Sequence, residues 1–478
     1  MDKTTGARLS YQEALQIAQG SECLEQGQLK ETHFCNENTG TWWIDLDADK
    51  PGCAPACVIN VNDKTAVINW RCTGALPPAE GVALSEKPRV AAPAVDAADL
   101  AALVAGNSGF AFDLYQAIRE ADGNLFYSPY SISVALAMTY AGARGDTELQ
   151  MADALYFTLP QDLLHPAFNG LDQTLAQRGE GAAGKDEQGF RLNIVNAIWG
   201  QEGYAFLAEF LDVLAENYGA GLRLLDFVNA PEESRVTIND WVSEQTEERI
   251  EDLIPQGLID KLTRLVLTNA IYFNAAWAQP FTAELTADGP FYLLDGSQVT
   301  APMMKQSESF GYAEGEGYQA VELPYDGQEL AMVILLPDPG NFEPFEAALS
   351  AEQVQAIVQG LERRQVALTL PKFEFESALA LADTLAAMGM PAAFSGAADF
   401  SGMTGDRDLF ISDVIHKAFV SVDEAGTEAA AATAVIMKRL SIPEEPVEVT
   451  VDRPFVFLIG DIETGAILFV GRMVNPTA

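Results

Sequence analysis

The sequence has few of the residues on which most enzymes depend. Only three histidines occur among its 478 residues, His33, His165 and His416. The common signatures of serine hydrolases, zinc proteases and P-loop proteins (G-x-S-x-G, H-E-x-x-H and G-x-x-x-x-G-K-[ST]) are missing. We expect His165 at the surface and His416, in an apolar strand, as a hydrogen-bonded core residue. The chain is therefore predicted not to be an enzyme, and no cofactor or bound metal is expected.

Basic residues are also scarce, with 28 Lys and Arg against 69 Asp and Glu and a formal net charge of −41. Such a field disfavours nucleic acid and anionic membranes as partners. Life in high salt, cationic partners, or solubility alone would each explain the acidity, and the composition leaves these explanations open. No apolar run is long enough for a membrane span. We predict a monomer without a membrane-spanning segment.

Cysteine is absent after residue 72, so all five cysteines fall in the first part of the chain: Cys23, Cys35, Cys53, Cys57 and Cys72. This pattern predicts disulfides in a small exported module. Zinc is the alternative, because the two cysteines of Cys53-Ala-Pro-Ala-Cys57 have metal-site spacing and His33 is near in sequence. The first residues, MDKTTGARLS, are polar and do not resemble an export signal. The cysteines predict a secreted or cell-surface protein whose signal has been removed, and the alternative is a cytosolic chain.

Three regions follow from composition: a stapled α+β module at 1–75, a Pro-rich linker at 76–96 and a large α+β body at 97–478. The module is predicted to contain a helix at Tyr11–Gln19, a strand at Thr41–Asp47 and a hairpin formed by 57–61 and 65–70. Through this helix, strand and hairpin it weakly resembles PepSY-type modules.

The body contains polar residues where its pattern predicts burial. Ser128 is a predicted N-cap for a helix that starts at Pro129 and is apolar on nearly all faces. Ser131 lies in the first turn of that helix. Asn196 and Asn269 each lie at the centre of an apolar, strand-like run. Because buried polar groups need hydrogen-bond partners, these residues predict a polar cluster inside the body.

The segment from Glu424 to Ser441, EAGTEAAAATAVIMKRLS, combines small residues with an exposed-looking end. Its first half reads as a strand, and Pro443 and Pro446 predict that the residues after the segment form a loop. By period two, one face of the strand carries Thr427, Ala429, Ala431 and Thr433, and the other carries Glu428, Ala430 and Ala432. The alternative for the alanine run is a helix or a flexible linker, since Ala is the best helix former.

Motifs along residues 97–478 resemble the serpin family, in the form of a bacterial inhibitory member. The resemblance is carried by NLFYSPYSI at 124–132, GARGDT at 142–147, LTNAIYF at 267–273 with Trp277, LPKF at 370–373, DVIHKAF at 413–419, EAGTEAAAAT at 424–433 and RPFVFL at 453–458. It implies a fold with three β-sheets, about nine helices and an exposed reactive-centre loop. It also implies a metastable sheet that lacks a central strand.

The same resemblance implies roles for particular residues, which act as structural switches and not as catalysts. Glu424, Gly426 and Thr427 to Thr433 are the hinge that inserts after cleavage. A polar latch, the shutter, consists of Ser128, Ser131, Asn269 and His416. Trp277 lies at the breach, where the loop first enters the sheet.

The family spacing gives Leu440–Ser441 as the bond that a protease cleaves, and a shift by one residue gives Arg439. Leu440 favours chymotrypsin-like or elastase-like serine proteases, whereas Arg439 favours trypsin-like ones. The complex is expected to be covalent, and a papain-like cysteine protease is a further candidate partner. The alternative function is that of a non-inhibitory serpin acting as a chaperone or binding protein.

Overall fold

The computed structural model describes residues 8–21, 23–36, 41–47, 56–62, 64–69, 82–179, 191–246, 248–427 and 445–478. The chain divides into two compact units, Met1–Val82 and Ala83–Ala478. Several predicted site residues lie outside the described residues: Cys53, Cys72, Glu428–Thr433 and Arg439–Ser441.

The smaller unit is a helix packed on a four-stranded antiparallel sheet of order β1-β2-β3-β4. Its elements are α1 (Tyr11–Gln19), α2 (Cys23–Gln26), β1 (Gln28–Asn36), β2 (Thr41–Asp47), β3 (Ala56–Asn60) and β4 (Ala66–Asn69). Ser10 and Glu13 form a capping box at the start of α1. The fully buried Ala14 and Ala18 face the sheet, so the predicted helix and hairpin of this unit are confirmed.

Cys23 and Cys57 form a disulfide that joins α2 to β3. Cys57 is therefore not available as a zinc ligand, which removes the alternative built on the Cys53–Cys57 spacing. Cys35 is half-buried on β1. Among the described residues, no group of His, Cys, Asp and Glu side chains is placed to hold a metal ion.

Replacing Cys57 with serine is expected to destabilise the smaller unit by about 3–4 kcal/mol, because the disulfide shortens the unfolded chain across a separation of 34 residues. Urea-gradient proteolysis, with fragments identified by mass, measures this loss. Cys35→Ser is the control, because it leaves the disulfide intact. The larger unit contains no cysteine and is expected to unfold as before. Equal protease resistance of the smaller unit in both variants would contradict the prediction.

The larger unit mixes helices with two large sheets. Its α-helices are α3 (Ala97–Ile118), α4 (Pro129–Tyr140), α5 (Gly145–Ala154), α6 (Gln161–Ala176), α7 (Ala208–Tyr218), α8 (Pro231–Gln245), α9 (Phe342–Ala348), α10 (Ala351–Gln359), α11 (Ala382–Ala387) and α12 (Ser401–Thr404). Short 3-10 helices span Ala283–Leu285 and Pro391–Phe394.

The strands, of which the first begins at the boundary of the two units, are β5 (Val82–Ala83), β6 (Leu125–Tyr127), β7 (Arg191–Gln201), β8 (Leu222–Leu225), β9 (Leu265–Ala276), β10 (Ala287–Tyr292), β11 (Gln298–Gly315), β12 (Tyr318–Pro324), β13 (Leu330–Pro337), β14 (Glu362–Pro371), β15 (Phe373–Ala380), β16 (Asp413–Val422), β17 (Gly426–Thr427), β18 (Val447–Thr450), β19 (Phe455–Asp461) and β20 (Ile467–Met473).

One sheet has nine strands in the order β18-β14-β11-β12-β13-β19-β20-β6, with β10 paired to β11. It is continuous because β11 is 18 residues long and pairs with β10, β12 and β14 along different parts of its length. The second sheet has seven strands in the order β15-β16-β17-β9-β7-β8-β5, and β16 also pairs directly with β9.

Helix α4 lies between the sheets, in contact with β20, β7 and β9. Ser128 caps it by accepting a bond from the backbone N–H of Ser131, and Pro129 is its first residue. Nearly every residue of the helix is buried, as its all-round apolar pattern predicts. This burial brings the two serines at its start beneath the seven-stranded sheet.

The described part of the predicted linker is bound to the larger unit. Lys87 pairs with Asp212 and Glu216 of α7 at 3.0 and 3.1 Å, and Arg89 pairs with Asp172 of α6 at 2.6 Å. Residues 85–90 are therefore held on two helices, because Lys87 and Arg89 pair with carboxylates of those helices.

The surface position predicted for His165 is wrong. The side chain is 3% exposed, and its Nδ1 lies 2.7 Å from the hydroxyl of Tyr218. Helix α6 turns His165 towards α7, a packing between helices that the local pattern Asp162-Leu-Leu-His-Pro166 does not contain.

Candidate functional site

A seam runs between β9 and β16 in the seven-stranded sheet. The two strands pair in parallel over Val266–Ile271 and Asp413–Ala418. Above these pairs β17 enters between them: Gly426 and Thr427 pair with Ala276 and Ala275 of β9. Thr427 also pairs with Val422 of β16, and both pairings are antiparallel. The first hinge residues therefore occupy only the upper end of the seam.

Gly426 is required by the close approach of β9. A Cβ on this residue would lie 2.1 Å from the carbonyl oxygen of Ala275, a distance that no side chain tolerates. Thr427 is 1% exposed and its hydroxyl lies 2.8 Å from that of Tyr325. The inward position predicted for Thr427 from strand alternation agrees with this burial.

Glu424 anchors the start of the hinge. Its carboxylate accepts bonds from Lys372 Nζ at 2.7 Å and from the Thr286 hydroxyl at 2.8 Å. Burial opposes ionisation of this carboxyl, but the bonds from Lys372 and Thr286 outweigh it and lower its pKa. Lys372 is the residue between β14 and β15. Its ion pair with Glu424 therefore connects the start of the hinge to the chain that leads into β15.

Trp277 lies at the end of β9 and is 3% exposed. Its indole N–H donates to the carbonyl of Asp423 at 3.0 Å, and its backbone N–H donates to the carbonyl of Ala425 at 2.8 Å. Its ring stacks on Tyr325 with centroids 4.7 Å apart. The residue predicted at the breach therefore contacts the chain at the point where it turns into the seam.

A polar cluster crosses the same sheet below the hinge. Asn196, Asn269 and His416 lie side by side on β7, β9 and β16. The backbone N–H of Ser128 donates to His416 Nε2 at 3.1 Å, and Ser131 Oγ donates to Asn196 at 3.3 Å. The side chain of Asn269 bonds to Asn196, Ser131 and His416. The four predicted latch residues are thus brought together.

The bonds define the proton on His416. Because Nε2 accepts from the backbone of Ser128, the neutral ring carries its proton on Nδ1 and donates it to Asn269 Oδ1. Complete burial lowers the pKa of His416 to about 3, so the ring is neutral at pH 7. The bond from His416 to Asn269 spans the seam.

Sequence reasoning missed two residues of this site. Asn196 was expected to need a polar partner, but its place beside Asn269 depends on the register of two strands. Nothing in the sequence marks Tyr325 as a site residue, because an aromatic residue after a strand is common in any core. Among the described residues, no helix is long and apolar enough to cross a membrane.

A family model described as Serpin (serine protease inhibitor) matches residues 105–476. The chain belongs to the serpin family. The expected family is confirmed by this membership, and the description of the family as protease inhibitors, not enzymes, agrees with the expected class of protein. The match begins at residue 105, and these comparisons do not support the resemblance of the first 75 residues to PepSY-type modules.

Relatives of this serpin come from archaea and vertebrates. An uncharacterized serpin-like protein of Thermococcus kodakarensis is 44% identical over 372 residues, which cover 77% of this chain and 84% of the relative. The leukocyte elastase inhibitors of Bos taurus and Homo sapiens are 42% and 40% identical, with 78% of this chain and 99% of each relative covered.

Solved serpin structures share the fold. Tengpin, a thermophilic serpin in its native state, matches with a TM-score of 0.73 and 27% identity, covering 83% of this chain and 100% of tengpin. Uncleaved ovalbumin matches with a TM-score of 0.70 and 28% identity, covering 78% of this chain and 100% of ovalbumin. The predicted fold class is confirmed.

The free energy of unfolding of this serpin is expected to fall as the pH is lowered from 6.5 towards 4. Burial lowers the pKa of His416 to about 3 and that of His165 to about 4, from 6.5 in both cases. In this window the unfolded chain binds protons that the folded chain does not, so stability is present above pH 6.5 and is lost on acidification.

Urea unfolding at pH 7, 6 and 5 measures this dependence in the wild type and in His416→Gln. The variant lacks the histidine that takes up one proton on unfolding. The pH dependence of its free energy of unfolding should therefore be smaller than that of the wild type by about 1.4 kcal/mol per pH unit near pH 5. His33→Gln, at an exposed position, is the control. Identical pH slopes for wild type and His416→Gln would show that His416 does not take up a proton on unfolding.

Proposed function

We propose that this serpin is a suicide-substrate inhibitor of serine proteases. A protease attacks the chain near Leu440–Ser441 and forms an acyl-enzyme, after which the hinge side enters the seam as a new strand. At about 3.3 Å per residue, a strand formed by the fifteen residues 426–440 is roughly 50 Å long, so its insertion carries the tethered protease towards the far end of the sheet. This displacement distorts the protease before it can deacylate.

The observation that carries the proposal is the closed seam with the hinge already at its upper end. In this state β9 and β16 pair with each other in parallel. Parallel pairing is slightly weaker per residue than antiparallel pairing. A strand that continued from Gly426–Thr427 down the seam would pair antiparallel with both neighbours. Insertion therefore replaces one parallel contact with two antiparallel ones, which supports a spontaneous reaction once the loop is cut.

The polar cluster is proposed to act as the latch of this reaction. An inserting strand must separate β9 from β16, and the hydrogen bond from His416 to Asn269 spans these two strands. Ser128 and Ser131 hold the same two side chains from below. The cluster therefore resists opening before cleavage, because its hydrogen bonds join the two strands that must separate.

The target class follows from the residue at the cleaved bond. Leu440 suits chymotrypsin-like or elastase-like proteases, and the relatives named leukocyte elastase inhibitor are consistent with the latter. Cleavage after Arg439 would indicate a trypsin-like target with an acidic pocket. These residues lie outside the described part of the chain, so the proposal rests on sequence spacing.

The experiment mixes the full chain with chymotrypsin, pancreatic elastase and trypsin in separate reactions. We expect an SDS-stable complex with chymotrypsin or elastase, and mass spectrometry of the released peptide should identify the bond Leu440–Ser441. A complex with trypsin and a peptide beginning at Leu440 would reassign the bond to Arg439. Cleavage by all three proteases without any complex would contradict inhibition.

A second candidate function is that of a non-inhibitory serpin, acting as a chaperone or binding protein. One structural neighbour supports this candidate. Human thyroxine-binding globulin, solved with its ligand bound, matches this chain with a TM-score of 0.70 and 32% identity. The hinge face predicted to enter the sheet carries only small, uncharged residues, Thr427, Ala429, Ala431 and Thr433, and this favours insertion instead. Absence of complexes together with an unchanged melting temperature after loop cleavage would favour this second function.

The remaining expectations are part of the same proposal. We propose that the chain acts as a monomer. We also propose that it acts outside the cell, because its cysteines are typical of an exported protein, and that papain-like cysteine proteases are secondary targets. Size-exclusion chromatography with light scattering tests the first, fractionation of the source cells tests the second, and papain in the complex assay tests the third.

A further inference from the structure

One hydrogen bond connects the hinge to the nine-stranded sheet. The hydroxyl of Tyr325 lies 2.8 Å from Oγ1 of Thr427, and both side chains are 1% exposed. Tyr325 follows directly after β12 of the nine-stranded sheet, whereas Thr427 belongs to β17 of the seven-stranded sheet. The hinge enters between β9 and β16, and the hydrogen bond from Tyr325 comes from neither of these two strands.

Tyr325 is held rigidly. Trp277 stacks on its ring with an interplanar angle of 9°, and Phe273 meets it edge-on with centroids 5.1 Å apart. Its backbone N–H donates to the carbonyl of Leu330, and the next N–H, that of Asp326, donates to the carbonyl of Ala276. Because the ring packs against Trp277 and Phe273 and its backbone is hydrogen-bonded, its hydroxyl stays at one place in the seam.

We propose that Tyr325 is a positioning residue that holds Thr427 in the seam before the protease arrives and thereby starts strand insertion. The inference rests on the proposed inhibitory function. Gly426 and Thr427 already make the backbone pairs of an inserted strand, so the bond between the hydroxyls does not have to break when the rest of the hinge follows. Because Tyr325 keeps Thr427 in the seam, the first step of insertion, which is the entry of the first hinge residues, is already complete when the loop is cleaved.

The energetic reason is the burial of the two hydroxyls. Water is excluded at this point, so removing one hydroxyl leaves the other buried without its partner, which is more costly than losing the bond itself. A hinge with an orphaned Thr427 hydroxyl gains stability by leaving the seam. Insertion then starts later after cleavage, and the acyl-enzyme has more time to hydrolyse.

The test compares the full chain with Tyr325→Phe, Thr427→Val and the double variant, using chymotrypsin. Each single variant is expected to shift the ratio of cleaved serpin to complex by about fivefold to tenfold towards cleaved serpin. The rate at which the protease attacks the loop should stay the same, because the hydrogen bond between Tyr325 and Thr427 affects only the insertion that follows. The double variant should return to within about twofold of the wild-type ratio, since it leaves no orphaned hydroxyl.

A matched control removes a tyrosine hydroxyl elsewhere in the same sheet. Tyr312 donates to Glu314 at 2.7 Å and accepts from Gln319, and neither of these partners belongs to the hinge. Tyr312→Phe should leave the ratio of cleaved serpin to complex unchanged. A wild-type ratio in both single variants, or a double variant whose loss equals the sum of the single losses, would overturn the role of Tyr325.

Hydrogen exchange tests the anchor independently of inhibition. The amides of Gly426 and Thr427 should exchange faster in each single variant and regain protection in the double variant. If the wild type forms no complex with any protease, the proposed function fails, and this exchange pattern still decides whether Tyr325 holds the hinge. Unchanged exchange at both amides in Tyr325→Phe would show that Tyr325 does not hold the hinge, even where inhibition is intact.

Discussion

Replacing Thr427 with arginine is expected to convert the serpin from an inhibitor into a substrate that is cut and released. Thr427 is 1% exposed between β9 and β16, and its hydroxyl lies 2.8 Å from the buried hydroxyl of Tyr325. An unpaired guanidinium at this point costs about 3–5 kcal/mol, which slows insertion by a factor of about a hundred or more. Hydrolysis of the acyl-enzyme then outruns insertion.

The stoichiometry of inhibition of chymotrypsin and the yield of SDS-stable complex measure this conversion. Thr427→Ser keeps the hydroxyl and should remain an inhibitor. Glu428→Arg is the matched control for charge, because strand alternation directs residue 428 to the opposite face, where a charge can stay hydrated. A stable complex formed by Thr427→Arg in the wild-type yield would refute insertion at this position.

Replacing Asn269 with leucine is expected to destabilise the larger unit by about 3 kcal/mol or more, because it leaves several buried polar groups without partners. The side chain of Asn269 is fully buried and is bonded to Ser131, Asn196 and His416. The same change removes the bond across the seam. The sheet should therefore open more readily, and the hinge should insert without cleavage during storage.

Two measurements check this result: the melting temperature of fresh protein, and the fraction that becomes inactive and heat-stable during incubation at moderate temperature. Asn217→Ala is the control, since Asn217 makes one bond to the carbonyl of Val213 within its own helix. It should change neither quantity appreciably. An Asn269→Leu protein with the melting temperature of the wild type would mean that the cluster contributes little to the closed sheet.

Local patterns predicted many elements correctly because they depend on neighbours in sequence. Helix α1, with the N-cap Ser10, and helix α4, with Ser128 and Pro129, are examples. The position of His165 failed for the opposite reason. Its burial comes from the packing of α6 against α7, and a short polar stretch of sequence carries no information about that contact.

The candidate site was only partly accessible from the sequence. Family motifs identified Ser128, Ser131, Asn269 and His416 as one cluster, and the apolar surroundings of Asn196 and Asn269 predicted that each needed a polar partner. That Asn196 belongs to the same cluster follows from its pairing with Asn269 in the sheet. Tyr325 could not be predicted, since it is separated from Thr427 by about a hundred residues and carries no motif.

The sequence by itself determined the serpin family, the small hinge residues and the confinement of the cysteines to the smaller unit. These properties are written in residue type and order. Only the tertiary structure decided that β9 and β16 pair directly, that the hinge enters at Gly426–Thr427, and that Tyr325 meets Thr427 there. The physical reason is that strand register and the partners of buried hydroxyls depend on segments far apart in the chain, which meet only when the sheets form.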